Sequence, residues 1–280
     1  VSYGRDFLGP YRLIRLVRAG NSCQIWDCVR EGDEKRVALK VLQKEHRKNR
    51  EEINFLKHEF EVGKGLSHER VIEIYDLNFE YDLPFLVLQF YSGKNVKQLM
   101  RTDPELIEKH TTSMIEQCAT GLHYLHEQGW IHRDVKPDNF LLDDSGNIKL
   151  IDFALAHKIT TGLASFFAGR AKVQGTRSYM SPEQIRGKNL DRRSDVYSLG
   201  CMIFELLSSR LPYTGVSEND LLNKHIRAGI PNVAALNNRV TPEMAALVMQ
   251  MMTKDPEGRP RSMLKFLQDF RSIRVFKAGK

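Results

Sequence analysis

The sequence predicts an α+β protein in two parts, a strand-rich stretch over residues 1–91 built around one helix and a mainly helical stretch over 92–280. Three observations predict it. Short β-branched runs separated by turn residues fill the first part. The apolar period changes to helical spacing from about Asn95 onward. No repeat or low-complexity linker divides the 280 residues further.

Taken in order, residues 11–17, 22–30 and 36–42 carry apolar, β-branched runs broken by Gly20 and by the Glu31-Gly32-Asp33 turn, and read as three strands. Over 51–65, Ile53, Leu56, Phe60 and Val62 fall at helical spacing. Residues 71–78 and 84–90 read as two more strands, and the join to the second part falls near 90–93. Pro104 then suits an early helix position behind an Asp103 cap. From there Ile107, Met114, Ile115, Cys118, Leu122 and Leu125 form one apolar stripe ending at Gly129. Further helices are expected at 195–208, 217–228, 242–253 and 262–272.

Composition allows a large core and excludes some classes. With 41% hydrophobic and 28% charged residues, the chain has the balance of a water-soluble globular protein. No apolar run approaches a membrane span, and the start lacks a signal-peptide core, so a cytoplasmic domain is expected, free or as part of a longer membrane-anchored protein. Cys23, Cys28, Cys118 and Cys201 are scattered without a CxxC pair, which argues for a reducing compartment and against a zinc site. The net charge of +7 raises the question of nucleic acid. The basic residues are dispersed, dense only at 44–50 and across 156–177, and no nucleic-acid partner is expected.

The chemistry concentrates at residues 132–139, His-Arg-Asp-Val-Lys-Pro-Asp-Asn, followed by Asp152-Phe153-Ala154. A phosphate donor is multiply negative, so moving its terminal phosphoryl calls for Mg²⁺, which takes hard oxygen ligands. Asn139 and Asp152 offer a carbonyl and a carboxylate for the metal, and Asp134 can accept or orient the proton of an attacking hydroxyl. An Asp- and Asn-rich turn would explain any one of these residues, but not the set.

His132-Arg133-Asp134 with Asn139 five positions on resembles the catalytic loop of the protein kinases, and Asp152-Phe153-Ala154 their metal-binding motif. Most of the chain fits, over about residues 11–271, and the compact motifs are similar to those of bacterial Hanks-type kinases. The resemblance implies a bilobal fold, ATP and Mg²⁺ (or Mn²⁺) as cofactors, and protein substrates with Ser or Thr acceptors. It makes Asp134 the base and sets Lys136, the serine/threonine-type lysine, near the γ-phosphate. Val37-Ala38-Leu39-Lys40 matches the third-strand motif, so Lys40 would neutralise the α- and β-phosphates while Ala38 lies against the adenine. The family pattern selects Glu59 to hold Lys40, with Glu61 on another helix face. Leu88 would be the gatekeeper, and the Gln89 carbonyl and Tyr91 amide would bond the adenine. Val17, Gly20, Ile25, Asn95 and Leu141 complete the implied nucleotide contacts. Gly175-Thr176 and Ser181-Pro182-Glu183 match the substrate-groove motif. By the same analogy Thr176 would bond Asp134 and Lys136, Glu183 would pair with Arg259, Asp195 would hold the catalytic loop, and His132 would be a packing residue.

Departures from the family pattern give a second reading, a pseudokinase or nucleotide-binding scaffold. The glycine-rich loop has Arg18, Gly20 and Cys23 at its three glycine positions, so a stiffer loop sitting less closely on phosphates is expected. Cys23 is either a redox-sensitive lid residue or, the favoured reading, a small residue that fits. Ala154 replaces the glycine after the metal-ligand motif and restricts the backbone there. Gly63, one turn past Glu59, lacks the side chain that kinases stack against Phe153 and His132. Either Tyr75 or Phe79 fills that gap, or the helix needs an activating dimer or regulator to bring Glu59 onto Lys40. No acidic residue lies between Asp152 and Glu183, while His157, Lys158, Arg170, Lys172 and Arg177 do. Autophosphorylation at Thr160, Thr161 or Ser165, read by Arg133, is therefore expected, against a loop ordered by Phe166-Phe167 alone.

Overall fold

The computed structural model describes residues 7–81, 83–159 and 174–278. The chain forms two compact units: Val1–Ser92 with Asp152–Ala154, and Gly93–Ile151 with Leu155–Lys280. Thr160, Thr161, Ser165, Phe166, Phe167, Arg170 and Lys172 lie outside the described residues.

The first unit is a six-stranded antiparallel sheet of β1 (Phe7–Leu8), β2 (Tyr11–Ala19), β3 (Cys23–Arg30), β4 (Arg36–Leu42), β5 (Ile74–Asn78) and β6 (Phe85–Gln89), ordered β1-β2-β3-β4-β6-β5. Period-two alternation decides its faces. In β4, Val37, Leu39 and Val41 are buried, and with Tyr11, Cys28, Phe85 and Val87 they make the core. Arg36, Ala38 and Lys40 fall on the opposite face. Tyr11 meets Phe85 edge-on at 5.7 Å. Helix α1 (Arg50–Gly63) starts one residue earlier than the sequence suggests, because Asn49 caps the Glu51 and Glu52 amides.

In the second unit β7 (Lys94–Asn95) leads into α2 (Val96–Thr102), which Asn95 caps through the Gln98 amide at 2.7 Å. Then comes α3 (Pro104–Glu127), with Pro104 behind its Asp103 cap and the apolar stripe buried. Strands β8 (Trp130–Ile131) and β9 (Phe140–Leu142) flank the 132–139 loop; β9 pairs with β7 and with β10 (Ile148–Leu150), and β8 with β11 (His157–Lys158). These two- and three-residue strands are too short to give a period. The helix Arg192–Ser208 is buried almost all round and forms the unit's centre. Helices Glu218–Arg227, Pro242–Met251 and Met263–Arg271 lie within two residues of their expected bounds, each opened by a Ser or Thr cap.

Candidate active site

In the first unit, three of the residues expected at the nucleotide come together. Strand β4 presents Lys40, whose Nζ lies 2.6 Å from Glu59 Oε2 and 3.1 Å from Asp152 Oδ1. Glu59 is buried on α1, whereas Glu61, on another face, pairs with Lys64 at 2.7 Å in solvent. Burial works against the Lys40 charge, yet Asp152 and Glu59 outweigh it and hold its pKa above the ordinary lysine value. Burial raises Glu59, Lys40 opposes that rise, and the nearby Asp152 carboxylate adds to it. The two shifts pull opposite ways on the pair. Lys40 lies between two carboxylates and is charged.

Asp152 has φ +68°, so the left-handed backbone falls on the aspartate. Ala154 is absent from the left-handed residues, and its Cβ therefore carries no backbone penalty in this conformation. The restriction expected there applies only to a backbone that this structure does not adopt.

Gly63 corrects the sequence reading. A Cβ built there would lie 2.3 Å from Ile74 Cδ1, so Ile74, not Tyr75 or Phe79, occupies the gap. Tyr75 and Phe79 are partly exposed at 38% and 41%. With the gap filled and Glu59 already on Lys40 in the single chain, the argument that α1 needs a partner fails.

At the glycine-rich turn between β2 and β3, the Gly20 amide donates to the Cys23 carbonyl at 2.8 Å. Cys23 is half-buried, and burial raises its thiol pKa against the pull of Lys40. That is the environment of a small packing residue, not of a reactive thiolate.

The second unit holds the 132–139 loop. Asp195, fully buried, accepts the Arg133 amide at 2.9 Å on Oδ1 and the His132 amide at 2.7 Å on Oδ2. His126 Nε2 lies 2.8 Å from the same Oδ2, a brace missed in the sequence. Its only signal was a histidine at i+4 from Leu122 on the buried stripe of α3. The bonded frame lets Arg133 keep a left-handed φ of +67°. His132 is buried, with Nε2 3.1 Å from the Ile151 carbonyl, a packing role.

On this frame Asp134, Lys136, Asn139 and Thr176 converge. Lys136 Nζ is 2.6 Å from Asp134 Oδ2 and donates to Thr176 Oγ1 at 2.6 Å. The Thr176 amide donates to Asp134 Oδ1 at 2.8 Å. Asn139 Nδ2 donates to the Asp134 carbonyl at 2.8 Å and to its Oδ2 at 3.2 Å. Gly175, at φ +121°, brings Thr176 in; a Cβ would sit 3.0 Å from the Arg133 carbonyl oxygen. Below them Arg259 grips Glu183 at 2.7 and 2.8 Å. Gln184, also missed, donates to the Arg133 carbonyl at 2.8 Å.

The other expected nucleotide contacts are placed by element. Val17, Gly20, Ile25, Ala38, Leu88, Gln89 and Tyr91 lie in the first unit, and Asn95 and Leu141 in the second. Asn95 has a second task as the cap of α2. For a metal, Asn139 donates through its amide nitrogen to Asp134, which leaves the carbonyl oxygen as its donor to a cation, and Asp152 carries a carboxylate that already bonds Lys40 through Oδ1. Both are hard oxygen donors of the kind Mg²⁺ takes.

The family profile of the protein kinase domain matches residues 11–269. The chain belongs to the protein kinase family. The kinase chain is 29% identical over 256 residues to the serine/threonine-protein kinase PrkC of Bacillus subtilis, covering 91% of this chain and 39% of that protein. It is 31% identical over 244 residues to the serine/threonine-protein kinase PknB of Mycolicibacterium smegmatis, covering 85% and 38%. It is 30% identical over 237 residues to PknB of Mycobacterium tuberculosis, covering 83% and 38%. The chain thus spans about two fifths of the length of the curated relatives it matches. Among the described residues no helix is long and apolar enough to cross a membrane.

Proposed function

We propose that this kinase domain transfers the γ-phosphoryl group of ATP to Ser and Thr hydroxyls of proteins, in signalling. The observation that carries the reading is the Asp134–Lys136–Thr176 cluster. A carboxylate held by two neighbours can orient a hydroxyl and take its proton, while Lys136 offers a cation for the transferred phosphoryl. Lys40, kept charged by Glu59 and Asp152, is suited to the α- and β-phosphates. Asn139 and Asp152 would hold Mg²⁺, or Mn²⁺ in its place, which neutralises charge on the phosphates. Val17, Ile25, Ala38, Leu88, Gln89, Tyr91, Asn95 and Leu141 are proposed for the nucleoside. The substrates are proteins, and the setting is the cytoplasmic side of the cell, free or membrane-anchored. A dimer or regulator acting on α1 has no support left from Gly63.

The pseudokinase reading rests on Arg18, Cys23 and Ala154, and the backbone angle at Ala154 removes one of its grounds. Incubation with labelled ATP and Mg²⁺, alone and with a generic basic protein, separates the two. Label on Ser or Thr from wild type and none from Asp134→Asn supports transfer. Nucleotide binding without label on either would sink it.

A further inference from the structure

The weakest match to the kinase pattern is the turn over the phosphates, where two of three glycines are replaced by Arg18 and Cys23. The turn is nevertheless held at several points, all within the first unit. Its own bond runs from the Gly20 amide to the Cys23 carbonyl. Two more come from Gln43, the residue just past β4 and three beyond Lys40. The Gln43 backbone amide donates to the Ser22 carbonyl at 2.8 Å, and its side-chain Nε2 donates to the Gly20 carbonyl at 2.6 Å.

A trans peptide sets its C=O and N–H on opposite sides. Drawing the Gly20 carbonyl toward Gln43 therefore turns the Asn21 N–H away from it, and drawing the Ser22 carbonyl does the same to the Cys23 N–H. Fixing these two planes supplies by hydrogen bonding what extra glycines supply by conformational freedom: amides held in one orientation without a search. Gly20 itself must remain small, since a Cβ there would meet the Cys23 carbonyl oxygen at 3.2 Å.

We propose that Gln43 is a positioning residue that clamps the 20–23 turn and sets its amides for the phosphates of the nucleotide. The proposal rests on the ATP reading of the site. It also explains how a loop with one glycine can serve a kinase. Because the clamp acts at the turn and not at the residues assigned to adenine, it predicts a split that a general loss of structure would not produce.

The test is calorimetric affinity for ADP with Mg²⁺ and for adenosine, on wild type, Gln43→Leu and Gln43→Glu, with melting temperature as control. Loss of one hydrogen bond should weaken ADP binding about two- to tenfold in Gln43→Leu. Gln43→Glu sets a carboxylate against the Gly20 carbonyl and beside the phosphates, and should weaken it more. Adenosine affinity should stay unchanged in both, and the KM for ATP should rise more than kcat falls. Equal ADP affinity in wild type and Gln43→Leu would overturn the clamp and leave the ATP reading standing. A parallel loss of ADP and adenosine affinity would also overturn it, as a structural effect. Wild type that binds neither ligand would overturn both proposals.

Discussion

Lys40 shares one ammonium between Glu59 and Asp152, so its neighbours are tuned by a single charge. Lys40→Met removes that charge from a site where it neutralises two carboxylates and is proposed to meet phosphates. Phosphoryl transfer should fall by at least about 100-fold. The fold should survive, because Leu39 and Val41, not Lys40, line the core. Loss of label transfer with an unchanged circular dichroism spectrum checks this; Asp152→Asn should behave alike. Gly63 gives the opposite case. A leucine there would drive into Ile74, and overpacking of this kind costs about 1–3 kcal/mol. Gly63→Leu should lower the melting temperature, and a gain in basal activity would contradict the packing described. Sequence reasoning missed Ile74 because two exposed aromatics nearby had more bulk, and bulk alone does not say which side chain a strand turns inward. Glu59 was legible through the family pattern, and helical spacing then set Glu61 on another face.

Elements show the same division between what a period can reveal and what only contact decides. The stripe on α3 marked its buried face in the sequence and the apolar run over 36–42 marked a strand, whereas β7 to β11 have too few residues to alternate, and the brace from His126 to Asp195 joins residues 69 apart in sequence. The Glu183–Arg259 pair was legible as a motif, and the structure gives it weight: both groups are buried and the bond is bidentate. Arg259→Ala would leave Glu183 buried without its cation, at a cost of about 3–5 kcal/mol in urea denaturation. Next to it lies a lysine that no motif announced. Lys254 donates to the Tyr213 hydroxyl at 2.8 Å, and burial, with help from Arg259, lowers its pKa to about 8. The unfolded chain, near 10.5, binds that proton more tightly, so between the two values folding releases it. Wild type should gain stability relative to Lys254→Met as pH rises from about 8 toward 10. Denaturation midpoints that fall together across that range would refute the shift.

Across the whole molecule, buried carboxylates set the acid limit. Asp27 carries Arg36 and Arg15, Glu183 carries Arg259, and Asp195 carries His126 with two backbone amides. For Asp27, the bond from Arg36 is the leading cause of a lowered pKa. For Glu183 and Asp195, burial alone would raise the pKa, but Arg259 in one case and His126 in the other more than offset it, and both are lowered. A depressed folded pKa contributes stability that is present above the unfolded value and lost as pH falls through the folded one. For these groups the unfolded values are 3.8 and 4.5, so their contribution should hold from neutral pH down to about 5 and fade below about 4. The two tryptophans make the test local, since Trp26 lies in the first unit and Trp130 in the second. In a Trp26→Phe background, Trp130 emission reports the unit that contains Asp195. Urea midpoints followed there should be level from pH 7 to 5 and drop below pH 4. Asp195→Asn should start lower at pH 7, because an amide cannot accept from three donors at once, and should then fall less steeply in acid. Equal acid slopes for the two proteins would mean that Asp195 is not a source of the acid sensitivity.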